Sequence, residues 1–298
     1  MEKALSMTKG QREPVAAIIM ASGFSKRMGR NKLMLRLEAK GGSGAAAAAA
    51  NAAEANAAAI AAEATAAAIA AAANVAAAAE ATATATATAA ANVAATAAEA
   101  AANVAANATG SDKPAGLTVI EYVMDQAASI GYDPLIVVSQ YGQILIWAEE
   151  RGLYPVNNPY AAEGKSSSIR IGASVLETMI AKGEFPPPAG ITFITGDQIL
   201  LSAGLLQELK ETFLEHPDRI VFPSYGGKPG SPATFPLDML PRLKELEGEE
   251  GGMIAARERK ERILLVPAEP AWQGMDFDTM EDWEKALALW RTGMSLPY

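Results

Sequence analysis

From Ala45 to Ala108 the chain runs 64 residues in which 43 are alanine and the only other types are Asn, Glu, Thr, Ile and Val. Such a stretch has almost nothing large enough to build a packed interior, so its bias is compositional rather than globular. Gly41-Gly42-Ser43-Gly44 precedes it and Thr109-Gly110-Ser111-Asp112 follows it, linker compositions at both ends. Any fold must therefore come from the flanks. The sequence divides into a discontinuous domain, residues 1–40 and 117–298, and an Ala-rich insertion, residues 41–116, with the features of an engineered segment. High alanine helix propensity predicts helices near 45–79 and 89–106, and the alternating threonines Thr82 to Thr88 between them predict the turn of a helical hairpin.

Without the insertion, 222 residues carry 24 basic and 29 acidic groups. That length supplies a full core without cross-links. The chain has no cysteine, which excludes a disulfide scaffold, a thiol nucleophile and a zinc-thiolate site. The mild acidic balance argues against nonspecific nucleic-acid binding. No segment has the apolar length of a membrane span or the pattern of a signal peptide, so a cytoplasmic protein is the expectation. One histidine, His216, follows a predicted helix, which excludes histidine-based nucleophilic catalysis and multi-histidine metal sites.

In the flanks, continuous apolar runs alternate with amphipathic ones. Strands are predicted at 15–21, 135–139, 154–157, 191–195, 219–223 and 263–266; helices are predicted at 119–130, 143–150, 167–181, 203–214, 237–245 and 280–290. This predicts a three-layer α/β fold with a mostly parallel sheet covered on both faces. In such sheets ligands bind beyond the carboxyl ends of the strands. Trp272, Trp283 and Trp290 read as packing residues.

The densest motif follows the first strand, Met20-Ala21-Ser22-Gly23-Phe24-Ser25-Lys26-Arg27-Met28-Gly29-Arg30-Asn31-Lys32. Glycines let backbone amides approach an anion, Ser25 adds a hydroxyl, and Arg27 and Lys32 neutralise a polyphosphate. The G-K-[ST] ending of a P-loop and the spacing of a dinucleotide fingerprint are both missing. Asp197 ends an apolar strand, where a carboxylate suits Mg²⁺ or caps a following helix. Asp276 and Asp278, two apart on an extended segment, point the same way. One of them either joins Asp197 on a metal, or Asp278 or Thr279 caps the last helix. Ser166 to Ser168 open a helix as caps or as a nucleotide pocket.

The loop resembles the L-A-A-G-x-S-x-R-M-G-x-x-K opening of the nucleotidyltransferases that act on the molybdenum cofactor, above all the cytidylyltransferase branch. Further motifs recur in order: Asn158-Pro159-Tyr160, then Gly164 and Ser166 to Gly172; Gly196-Asp197-Gln198; Pro223 to Gly227; and Asp276 to Asp282. The likeness spans about Val15 to Trp290 outside the alanine block. Ser22 stands where the family has alanine, Gly230-Ser231-Pro232 stands for its G-H-P, and Glu249 to Met253 replaces its D-x-G-A-R stretch.

The resemblance implies a Rossmann-like nucleotidyltransferase fold and transfer of CMP from CTP to molybdopterin carrying molybdenum, with release of pyrophosphate. It implies nucleotide binding by Ala21, Ser22, Gly23, Ser25, Arg27, Lys32 and Ser168, catalysis by Arg27, Lys32 and Asp197, and Mg²⁺ on Asp197, Asp276 and Asp278. A recipient molybdenum enzyme is an implied partner; nucleic acid and membrane are not. Two other readings are a guanylyl- or sugar-phosphate nucleotidyltransferase on the same fold, and a non-enzymatic scaffold displaying a helical insertion.

Overall fold

The computed structural model describes residues 14–25, 27–37 and 116–293. The chain divides into two units, Met1–Met34 with Thr118–Tyr298, and Leu35–Leu117. In the second, the Leu37 amide donates to the Leu117 carbonyl at 2.8 Å, and the Arg36 guanidinium donates to the Gly116 carbonyl at 3.0 Å. The segments flanking the alanine block thus meet at a closed pair. The helical hairpin expected within the block lies outside the described residues.

The first unit is built on β1 (Val15–Met20), an apolar run in which Val15 to Ile19 have no exposed surface. A strand buried on both faces must lie mid-sheet. It does: β2 (Leu135–Ser139) flanks it in parallel, with Met20 opposite Val138, and β4 (Gly190–Thr195) flanks the other side in parallel, with Met20 opposite Thr195. Beside β2 lies β3 (Tyr154–Asn157). Beyond β4 come β7 (Ala233–Pro236), β5 (Ile220–Tyr225) and β6 (Lys228–Pro229), and β8 (Ile263–Pro267) runs parallel to β5. The chain builds β1, β2 and β3 outward, then crosses back to place β4 on the other side of β1. That reversal opens a crevice at the carboxyl ends of β1 and β4.

On one face Ala16, Ile18, Ile136 and Val138 pack with Ile169, Ala173 and Leu176 of α3 (Lys165–Ala181). Contact is so close that a Cβ at Gly172 would stand 2.5 Å from Ile18 Cδ1. The opposite face is covered by α1 (Val119–Ser129) and α4 (Ala203–Glu215), which present Ile120 and Phe213 to glycines of β4 and its end. Between these, α2 (Gly142–Glu150) joins β2 to β3. After β7 come α5 (Leu240–Leu243), α6 (Gly252–Arg257) and, last, α7 (Met280–Gly293). The result is the expected α/β fold with a mostly parallel sheet.

Local differences have local causes. Residues 33–37 do not form the short strand that the family resemblance implies at this place. Asn31 accepts from the Leu33 amide through its side chain and from the Met34 amide through its carbonyl, winding Lys32–Met34 into a 3-10 turn. The expected helix 237–245 is a 3-10 turn, Leu237–Met239, followed by the short α5, because Pro241 is tolerated only in a first helical turn. Antiparallel β7 was not expected, since four residues ending in Pro236 give little period to read; its Thr234 hydroxyl meets that of Thr192 on β4 at 2.9 Å.

Helix α1 starts from a capping box in which the Glu121 amide donates to Thr118 Oγ1 at 3.3 Å and the Thr118 amide donates to Glu121 Oε2 at 3.0 Å. Arg151 adds a salt bridge to Glu121 at 3.1 Å. Burial of Glu121 opposes its charge, but the bonds from Thr118 and then Arg151 outweigh it and hold the carboxyl below the usual range. A folded pKa below the unfolded value of about 4.3 means stability present above that value and lost as pH falls through the folded pKa. Glu121→Gln is expected to cost about 1–2 kcal/mol in urea unfolding at pH 7. The gap from wild type should shrink steadily below about pH 4.

Candidate active site

A cavity of about 560 Å³ opens at the carboxyl ends of β1 and β4. Its walls come from Ser22 to Ser25, Arg27 and Lys32 of the first loop, Thr195 to Asp197 after β4, Gly164, Lys165 and Ser168 at the start of α3, and Asp278 before α7.

At its edge the Lys32 ammonium stands 2.5 Å from Asp197 Oδ2 and 3.2 Å from Asp278 Oδ1. It also lies 5.5 Å from the centre of the Phe277 ring. Arg27 reaches the other oxygen of Asp278 at 2.6 Å. Burial favours loss of the Lys32 proton, yet Asp197 and then Asp278 outweigh it and raise the pKa above that of a free lysine, so the ammonium is retained at neutral pH. Local folding explains the convergence. Lys32 is returned to the cavity because its amide donates to Ser25 Oγ at 3.0 Å, closing the loop on a residue with φ +49°. Asp278 is free to face outward because buried Phe277 packs on Trp283, with ring centres 5.1 Å apart, and anchors the segment.

The alternatives left open by the sequence resolve here. Helix α7 is capped by Thr279, whose hydroxyl accepts from the Asp282 amide at 3.2 Å, not by Asp278. Helix α4 is capped by Ser202, which accepts from the Leu205 amide at 3.1 Å, not by Asp197. Ser166 to Ser168 do not cap α3, whose N-cap is Gly164 with no side-chain bond. A Cβ on Gly164, at φ +102°, would stand 2.3 Å from the Gly248 carbonyl oxygen, so only glycine fits there.

The serines instead join a buried network. Asn158, without exposed surface, accepts from the Tyr160 amide through Oδ1 at 3.0 Å. This turns its Nδ2 toward the hydroxyls of Ser22, Ser167 and Ser168 at 3.0–3.1 Å. One amide thereby ties the first loop to the start of α3.

Not every expected residue lines the cavity. Ala21 is fully buried beneath it, its amide bonded to the Val138 carbonyl and its carbonyl to the Ser139 hydroxyl. Asp276 forms no salt bridge among the described residues. Desolvation, then repulsion from Asp197, with a smaller contribution from Asp278, raises its pKa against the attraction of Lys32 and Lys165. The three-carboxylate cluster expected from the sequence is therefore not assembled. Among the described residues no group of three or more His, Cys, Asp or Glu side chains stands close enough to hold a metal ion, and Lys32 occupies the place between Asp197 and Asp278. Asp197 and Asp278 remain as hard oxygen donors at the cavity edge, a pair that suits Mg²⁺ sharing phosphate oxygens.

Sequence reasoning missed Ser139, Gln140 and Tyr141. Ser139 ends β2 and the other two follow it, and they donate to the carbonyls of Ala21, Ser22 and Gly23 at 2.8, 2.7 and 3.0 Å. The matching step of one along both segments is visible only once β1 and β2 are paired. Lys165 and Glu249 also line the cavity and were not singled out. His216 is exposed at the end of α4, and no helix among the described residues is long and apolar enough to cross a membrane.

A basic loop closed by a lysine-carboxylate centre at the crevice of a parallel sheet is the arrangement of a nucleotidyltransferase, an enzyme that takes a nucleoside triphosphate. The chain belongs to the MobA-like NTP transferase domain family, whose model matches residues 109–263, more than half of its length. Its fold is similar to that of Rv0371c from Mycobacterium tuberculosis H37Rv, with a TM-score of 0.52 and 16% identity over 93% of this chain and 100% of that one. It is also similar to the Rv0371c homolog from Mycobacterium sp. strain JC1, with a TM-score of 0.55 and 16% identity over 94% of this chain and 98% of that one. No curated protein matches.

Asn158→Leu removes the donor shared by three buried hydroxyls. We expect it to lower unfolding free energy by about 2 kcal/mol, read as a reduced urea midpoint.

Proposed function

We propose that this enzyme moves CMP from CTP to the terminal phosphate of molybdopterin carrying molybdenum and releases pyrophosphate. The observation that carries the phosphoryl chemistry is the Lys32 ammonium held between Asp197 and Asp278 beside Arg27. The motif order from Asn158 to Asp282 supports the acceptor class.

An oxygen of the acceptor phosphate attacks the α-phosphorus of CTP in line. The bond from that phosphorus to the bridging oxygen breaks, and pyrophosphate leaves with the electron pair. The nucleophile is already an anion, so no protein base is required. The protein contributes orientation and charge: Arg27 and Lys32 draw the departing pyrophosphate, and Asp197 and Asp278 fix where those cations stand. Mg²⁺, held through Asp197 and Asp278, would supply additional neutralisation of phosphate oxygens. The loop carrying Ser22 and Gly23, with Ser168 opposite, holds the nucleotide.

Pyrophosphate release in MgCl₂ with CTP, GTP or UTP and purified molybdenum cofactor tests the assignment. Turnover with CTP, lost on addition of EDTA, is expected; turnover only with another acceptor or nucleotide would replace it. Lys32→Met and Asp197→Ala are each expected to lower kcat/KM at least about 100-fold, by removing charge from the transition state. If both variants equal wild type, this centre is not the site of chemistry.

A further inference from the structure

The three bonds that reach the first loop from the end of β2 take up its acceptors and leave its donors. The carbonyls of Ala21, Ser22 and Gly23 are each occupied by a donor from Ser139, Gln140 and Tyr141 in turn. The amides of Ser22 and Gly23, both in the cavity wall, have no acceptor among the described residues. Across from them, Ser168 accepts from Asn158, and its own hydroxyl proton has no acceptor among the described residues. The neighbouring hydroxyls differ: Ser167 donates to the Gly164 carbonyl at 2.8 Å and Ser22 to the Val138 carbonyl at 3.3 Å. What the loop and Ser168 turn toward a ligand is therefore a surface of donors.

We infer that Gln140 and Tyr141 are positioning residues that make this surface donor-only and so set nucleobase preference, for cytosine over guanine. The inference rests on the reading of the cavity as a nucleoside triphosphate site. Cytosine offers two adjacent acceptors, O2 and N3, beside its single amino donor at N4, where guanine has the one acceptor O6. Guanine carries N–H donors at N1 and N2 on the corresponding edge. Donor against donor leaves buried polar groups unpaired on both sides, a larger penalty than the loss of one bond. Freed from Gln140 or Tyr141, the Ser22 or Gly23 carbonyl becomes available to accept from guanine, and loss of Gln140 also releases the peptide plane that carries the Gly23 amide.

Tyr141→Phe removes only a hydroxyl and Gln140→Leu only an amide group, and either is tested by calorimetric titration with CTP and with GTP in MgCl₂. We expect wild type to favour CTP, and each variant to bind CTP about five- to tenfold more weakly while the CTP-to-GTP ratio falls by a similar factor. In turnover the effect should fall on KM for CTP more than on kcat. Backbone amide spectra provide a check independent of affinity: the Ser22 and Gly23 signals should move on addition of CTP to wild type, and the Gly23 signal should move less in Gln140→Leu. Equal losses for CTP and GTP with an unchanged ratio, or variants indistinguishable from wild type, would overturn the positioning role while leaving the enzyme a CTP-binding protein. A wild type that binds no triphosphate would overturn the active-site reading and this inference with it.

Discussion

The ammonium of Lys32 between two carboxylates organises everything around the cavity. An isolated lysine in that enclosed position would lose its charge more readily, and two facing carboxylates would repel. Together they form a centre in which each partner stabilises the other. It draws together three separate parts of the chain: the loop after β1, the turn after β4 and the segment before α7. The sheet supplies the geometry, since β1 and β4 are adjacent and parallel and end level with each other. Phe277, buried between Asp276 and Asp278, orients the third partner.

The larger part of the fold was legible because it depends on short-range pattern. Val15 to Ala21 and Leu135 to Val138 are apolar without interruption and Ile191 to Ile194 is broken only by Thr192, the pattern of strands covered on both faces. Ser202 and Thr279 cap their helices at the places where the amphipathic pattern starts. What escaped reading depends on contacts distant in sequence. The strand Ala233 to Pro236 has too few residues for a period and is defined by its place between β4 and β5. Asn31 winds the segment after it into a 3-10 turn through bonds of its own side chain and carbonyl, which a family resemblance does not specify.

The site was legible in its residue types and less so in its partnerships. Spacing put Asp276 and Asp278 on one side of an extended segment, and of the two Asp278 lines the cavity. Spacing alone did not reveal that the lysine from the first loop would stand between Asp278 and Asp197, or that Asp276 would form no salt bridge among the described residues. Serines at a helix start read equally well as caps; that they serve Asn158 follows from the approach of β3 to α3 through a turn, which no linear motif states. Gln140 and Tyr141 carried no signal, because their partners are carbonyls, identical in every residue.

The hydrogen bond between Leu37 and Leu117 has a consequence for evolution and for engineering. Where a chain leaves and re-enters at one bonded pair, the entropy of closing the intervening loop rises only with the logarithm of its length, about 0.6 kcal/mol for each doubling. The difference between a tight turn and a passenger of many tens of residues is therefore a few kcal/mol, spread over four or so doublings. Such a junction behaves as a port. As far as loop closure goes, segments of very different length could stand there for a difference of only that size.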